Sequence, residues 1–115
     1  MLCISVREPW ATAIFSLGKD VENRSWKTLH RGPLGIHVSA GKVERADLSF
    51  LRLRASDLVL PLGCVVGFVE LYDVVNASRS RWARDDQWHW LIRNPVRIEP
   101  QRVRGRVGLF PVAFS

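Results

Sequence analysis

The chain has 115 residues, 47% of them hydrophobic and 24% charged, with 8 Gly and 6 Pro. That is enough for one compact core over 1–115, too little for two, and unlike collagen-like, low-complexity or disordered chains. No run approaches the ~20 apolar residues of a membrane-spanning helix. The net charge of +6, with 17 Lys plus Arg against 11 Asp plus Glu, points to a polyanionic partner, because phosphate neutralisation rewards clustered cations.

The opening residues MLCISVREPW lack the layout of a signal peptide, since Arg7, Glu8 and Pro9 interrupt the apolar run at once. Cys3 and Cys64 each sit in an apolar run and match no metal-ligand spacing, so they read as buried thiols in a reducing, cytoplasmic setting. In chain order, LCISV (2–6) predicts a strand and EPWATAIFSL (8–17) a short helix. Pro9 falls in the first turn of that helix, Trp10, Ala13, Ile14 and Leu17 share one face, and Gly18 is the stop. DVENRSW (20–26) alternates, so Asp20, Glu22, Arg24 and Trp26 share a face that does not resemble ordinary core. HRGP (30–33) is a turn. LGIHVSA (34–40) predicts a strand with Leu34, Ile36 and Val38 inward and His37 and Ser39 opposite.

VERADLSFLRLR (43–54) predicts an amphipathic helix, with Val43, Ala46, Phe50 and Leu53 packed against a sheet or barrel and Arg45 and Arg52 outward. CVVGFVELYDVV (64–75) is apolar on both faces and predicts a central strand. Glu70 lies in the row of Cys64, Val66, Phe68 and Tyr72 and therefore needs a partner. NASRSRWARDD (76–86) has no periodicity and reads as a mobile loop. QWHWLI (87–92) resumes alternation with Trp88, Trp90 and Ile92 on one face, and Pro95, Pro100 and Gly105 punctuate the remaining chain, which ends in GLFPVAF (108–114). About six or seven short strands with two flanking helices predict an α+β domain built on a small mixed β-barrel.

Phosphate-binding glycine loops, metalloprotease motifs and nucleophile elbows are all missing from the sequence, and His30, His37 and His89 are too scattered to be a metal set, so no cofactor or metal is indicated. Two basic stretches stand out: SRSRWAR (78–84), with three arginines around a tryptophan, and RNPVRIEPQRVRGR (93–106), whose six charges sum to +4. The densest mixture of cation, carboxylate, amide and hydroxyl is GKDVENRSWKTLHRGPLGIHVS (18–39).

Together ISVREPWA (4–11), GKDVENRSW (18–26), RGPLGIHVSAGK (31–42), PLGCVVGFVELYDVV (61–75), WHWLIRNP (88–95) and GRVGLFPV (105–112) resemble the ASCH domain, a PUA-like fold, as a small single-domain, bacterial-type member. The signature G-x-K-x-x-E-x-R reads here with its lysine one place early, as Gly18, Lys19, Glu22 and Arg24. The resemblance implies a small β-barrel whose cleft, lined by the signature, binds RNA or a nucleobase. One branch of the family looks like an amidohydrolase that deacylates N4-acetylcytidine with a lysine, a threonine three residues later and a glutamate from a central strand; others are proposed as ribonucleases. Carried over, Lys19 matches the lysine and Glu70 the strand glutamate, but Glu22 stands where the threonine belongs. Glu22 would then have to act as a general base or form an anhydride, a different mechanism.

Each candidate has two readings. Glu22 and Arg24 either form an ion pair inside a barrel or, with Lys19, line a cleft floor that meets phosphate and base edges. Trp10 and Trp26 are core or stacking platforms. Trp82 is a lid that stacks a base, or a side chain that docks its loop. His37 and Ser39 face the cleft or solvent, and Arg31 binds phosphate or caps carbonyls. Trp90 and Asn94 form a wall, or Asn94 simply makes a turn before Pro95. Lys42 lies at the cleft mouth or is solvated. The sequence thus leaves three functions open: a module binding RNA, single-stranded nucleic acid or a modified nucleobase; a hydrolase using Lys19, Glu22 and Glu70; and an adaptor recruiting an acidic protein.

Overall fold

The computed structural model describes residues 1–114. It contains strands β1 (Leu2–Arg7), β2 (Val21–Arg24), β3 (Gly32–Ser39), β4 (Cys64–Val75), β5 (Trp88–Arg102) and β6 (Phe110–Pro111), with helices α1 (Trp10–Ser16) and α2 (Arg45–Leu51). The most apolar run of the sequence, β4, takes the middle of the sheet, antiparallel to β3 on one side and to β5 on the other. The strand order is β2-β5-β4-β3-β1-β6, with β1 and β3 as the parallel pair. The sheet curls into a half-barrel, giving the small α+β PUA-like barrel expected from the sequence, with six strands. Ile4, Val6, Leu34, Ile36, Val38 and Leu71 fill its interior with Ile14 of α1 and Trp90 of β5.

The helices depart from the sequence pattern. α1 has no side-chain cap from Pro9; instead the buried Glu8 carboxylate accepts from both the backbone N–H and the hydroxyl of Thr12, each at 2.7 Å, and so satisfies a donor the helix start would otherwise orphan. Leu17 lies past the helix end and is exposed. α2 is shorter than the predicted 43–54, because Arg52 adopts a left-handed conformation (φ 57°) that ends it. Its buried residue is Leu51, packed with Ala13, Val21 and Trp82, while Ala46 and Phe50 are exposed. The predicted face is thus rotated, and α2 packs on α1, the edge strand β2 of the sheet and the 76–86 loop.

β5 runs to Arg102 through Pro95 and Pro100, both of which the sequence pattern marks as punctuation. The β4–β5 register shifts between Phe68 and Glu70, where Asn94 (φ 54°) and Pro95 fall, and again between Val65 and Gly67, opposite 98–100. A proline at a bulge costs no ladder hydrogen bond, so the strand bends and continues. Cys3 and Cys64 are both buried and free, and burial pushes the Cys3 thiol up. No helix among the described residues is long and apolar enough to cross a membrane.

Gly67 is where α1 meets the sheet. A Cβ there would lie 2.3 Å from the Val96 carbonyl oxygen across the ladder and 2.6 Å from the Phe15 ring of α1. Gly67→Ala is therefore expected to lower stability by about 1–3 kcal/mol, the usual range for overpacking, read as a reduced urea midpoint. An unchanged midpoint would show that strand and helix separate freely at this point.

Candidate functional site

The site begins where α1 ends. Gly18 (φ 72°) supplies the left-handed residue at the helix C-terminus, and the Lys19 N–H turns back to the Ala13 carbonyl at 3.1 Å. That turn aims the Lys19 side chain under β2. Its ammonium donates to the Val21 carbonyl at 2.5 Å and to Glu22 Oε1 at 2.7 Å. From the other side Arg24 donates to Glu22 Oε2 through Nε (3.0 Å) and Nη2 (2.7 Å), and Nη2 also reaches the Ser5 carbonyl of β1 at 2.7 Å. Lys19 and Glu22 are 6% and 8% exposed.

Burial is the strongest single influence on Glu22 and raises its pKa, yet the charges and hydrogen bonds of Lys19 and Arg24 outweigh it and hold the carboxyl below its ordinary range. Both carboxylate oxygens are occupied. Arg24 Nη1 makes no hydrogen bond to protein among the described residues, and one Lys19 N–H is likewise uncommitted, so the network presents donors to the space above it.

That space is a cleft of about 930 Å³, walled by Trp10, Trp26, Trp82 and Phe50 and floored by Lys19, Glu22 and Arg24. The cations Arg7, Arg81 and Arg84 complete a positively charged rim, against Asp47. Trp26 stands edge-on to Trp90 with centroids 4.8 Å apart, and the Trp90 indole N–H donates to the Trp26 carbonyl at 3.1 Å. Arg84 lies over the Trp10 ring at 5.8 Å and Arg81 over Trp82 at 4.7 Å. A second lobe of about 870 Å³ adjoins the first and shares Ser5, Arg24, Trp26 and Ser39 with it.

The cleft therefore brings together Trp10, Lys19, Glu22, Arg24, Trp26, Ser39 and Trp82 of the residues singled out from sequence. His37 lines the second lobe; it is buried, with Nε2 donating to the Val103 carbonyl at 2.7 Å and Nδ1 meeting Ser5 Oγ at 3.0 Å. The rest lie elsewhere. Trp90 is fully buried and supports Trp26 from behind, so it is no wall. Arg31 caps the Thr28 and His30 carbonyls of its own turn at 2.8 and 2.9 Å. Lys42 is exposed and lines neither lobe.

Glu70, expected from the resemblance to join Lys19 and Glu22, does not line their cleft and is paired elsewhere. The far half of β4 turns that row to solvent, and directly across the ladder Arg93 grips Glu70 with two hydrogen bonds of 3.0 and 3.1 Å while Asn94 adds a third at 3.3 Å. Those bonds, those of Arg93 foremost, hold the Glu70 carboxyl below its usual range. Asn94 is thus spent on Glu70, away from the cleft.

Loop 76–86 is anchored rather than free. Asn23, on the outer face of β2, donates to the Trp82 carbonyl at 2.8 Å, and its Oδ1 accepts from the Arg84 N–H at 2.9 Å and from His89 Nδ1 at 3.0 Å. Trp82 is 8% exposed, packed on Ala13, Val21 and Leu51. Sequence reasoning missed Asn23, Ser5 and Phe50. Alternation put Asn23 on the opposite face from Glu22, but its partners lie 59 to 66 residues away.

Glu22→Gln leaves the buried Lys19 without its counter-charge and is expected to cost about 3–5 kcal/mol at neutral pH, read by urea unfolding. The stability due to Glu22 ionisation is complete above its unfolded pKa, near 4.5, and disappears as pH falls through the lower folded value. The gap between wild type and variant should therefore begin to narrow near pH 4.5 and close only as pH falls through the lower folded value; a gap independent of pH would contradict an ionised Glu22.

The ASCH domain family model matches residues 4–104. Among curated proteins the chain is similar to activating signal cointegrator 1 of Homo sapiens, at 39% identity over 88 residues that make up 69% of this chain. It is also similar to activating signal cointegrator 1 of Mus musculus, at 35% over 86 residues and 67% of this chain. In both cases it spans only 15% of the relative's length. Because the family model covers most of the chain and the six-stranded PUA-like half-barrel agrees with it, the chain belongs to the ASCH domain family.

Proposed function

We propose that the chain is a nucleic-acid-binding module that takes a base of single-stranded RNA, plain or modified, into the tryptophan-walled cleft. The observation that carries this reading is the junction of Arg24 and Trp26, where a stacking face and a partly uncommitted guanidinium adjoin the two lobes of one basic groove. A single-stranded base offers two π faces for an indole and a polar edge for fixed donors, and its phosphate suits arginine. Glu22 serves as the anion that orients Lys19 and Arg24. Its two oxygens are engaged and its basicity is reduced, which favours binding over the hydrolytic reading, as does the distance in the fold between this network and the Glu70–Arg93 pair.

The test is fluorescence anisotropy with short labelled single-stranded RNA and DNA across a salt series, comparing wild type with Arg24→Gln and Trp26→Ala. Loss of a stacking platform costs about 1–3 kcal/mol per base, so Trp26→Ala should weaken RNA binding about five- to 150-fold with thermal stability followed in parallel. Arg24→Gln should weaken it and flatten its salt dependence. Equal affinity in all three proteins would overturn the reading.

A further inference from the structure

The sequence stretch richest in positive charge, 93–106, ends in Arg102, Arg104 and Arg106, which the cleft around Trp26 leaves unused. All three line the second lobe. None makes a salt bridge or side-chain hydrogen bond among the described residues, and no Asp or Glu lines that lobe. Uncompensated guanidinium groups at one concave surface repel one another, and an anion relieves that repulsion.

The segment is held in place by its backbone. The Val103 N–H donates to the Gly63 carbonyl at 3.1 Å, and the Val103 carbonyl accepts from the buried His37 at 2.7 Å. Two residues on, Gly105 sits so close to the barrel that a Cβ would lie 2.7 Å from His37 Cε1 and 3.1 Å from Ser5 Oγ. Residues 103 and 105 thus lie against the barrel while the arginines beside them are exposed. A two-residue step along the chain spans at most about 7 Å, a stride that lets successive arginines meet successive phosphates of an extended strand.

Resting on the reading of the tryptophan cleft as a base site, we propose that the second lobe is a phosphate track. A single strand whose base enters the tryptophan cleft passes Arg24 and lays its next phosphates along Arg102, Arg104 and Arg106. The ligand is then an oligonucleotide of several residues rather than a free nucleoside. His37 and Gly105 are positioning residues for this arm, which accounts for a buried histidine and a glycine with no role in the first cleft.

The test uses the full chain, a labelled mixed-sequence RNA of about eight nucleotides, and poly-glutamate as an acidic protein mimic. Wild type is compared with the triple variant Arg102→Gln, Arg104→Gln, Arg106→Gln and with Trp26→Ala. Counterion release from a single strand contributes about 0.7 to the salt slope per phosphate neutralised. The triple variant should therefore lose about 2 from that slope and at least tenfold in RNA affinity, with an unchanged melting temperature, while Trp26→Ala loses affinity at an unchanged slope. If Trp26→Ala fails to bind but the triple variant keeps wild-type affinity and slope, the track is overturned and the base site stands. If neither variant alters RNA binding, or wild type binds none, the base site falls with it. Loss of poly-glutamate binding alone in the triple variant overturns the track in favour of an acidic protein partner.

Discussion

Everything in the site depends on one network, Lys19–Glu22–Arg24, in which Lys19 and Glu22 are buried and Arg24 is half-buried. Withdrawing an ammonium, a carboxylate and part of a guanidinium from water is costly, and attraction offsets that cost only when the geometry is tight and further hydrogen bonds are made. Here the carboxylate receives three charge-assisted hydrogen bonds, and two backbone carbonyls, of Val21 and Ser5, take up further N–H groups. The Ser5 bond ties β2, at one edge of the sheet, to β1, next to the other edge. The same interaction that makes the cleft floor thus spans the mouth of the half-barrel, and floor and barrel are expected to fail together.

Around that floor the tryptophans divide into supports and surfaces. Trp90, sealed in the core, fixes Trp26 from behind through an edge-on contact and a hydrogen bond. Trp82 closes a small apolar cluster with α1 and α2 and so pins the arginine-bearing loop. Asn23 links that loop to β2 and to His89 of β5. Preorganised faces and donors bind at a smaller entropic cost than mobile ones. The one carboxylate of the network is held between two cations.

Local pattern makes much of this legible. The run 64–75 is apolar on both faces and coincides with β4, and the alternation of 20–26 puts Glu22 and Arg24 on one face beside Trp26, where the cleft has them. Long-range pairing is the part that local pattern does not carry. Pro95 and Pro100 look like strand breakers until the bulges of the β4–β5 ladder are known. Glu70 sits in an apolar row and looks buried until the far half of β4 is seen to turn that row to solvent, where Arg93 meets it across the ladder. His37 looks like a surface residue because its covering segment, 103–105, lies 66 residues further on. The arginine run is visible as charge, but its place beside the signature comes only from the closing of the sheet.

The central claim, that nucleic acid enters the groove between Arg24 and Trp26, is tested most directly by the indole N–H resonances of the five tryptophans during titration with short single-stranded RNA. Entry into the groove shifts the Trp26 resonance most, moves those of Trp10 and Trp82, and leaves Trp88, which lies under Lys27 and lines neither lobe, unmoved. Saturable RNA binding with Trp10, Trp26 and Trp82 all unshifted would contradict it.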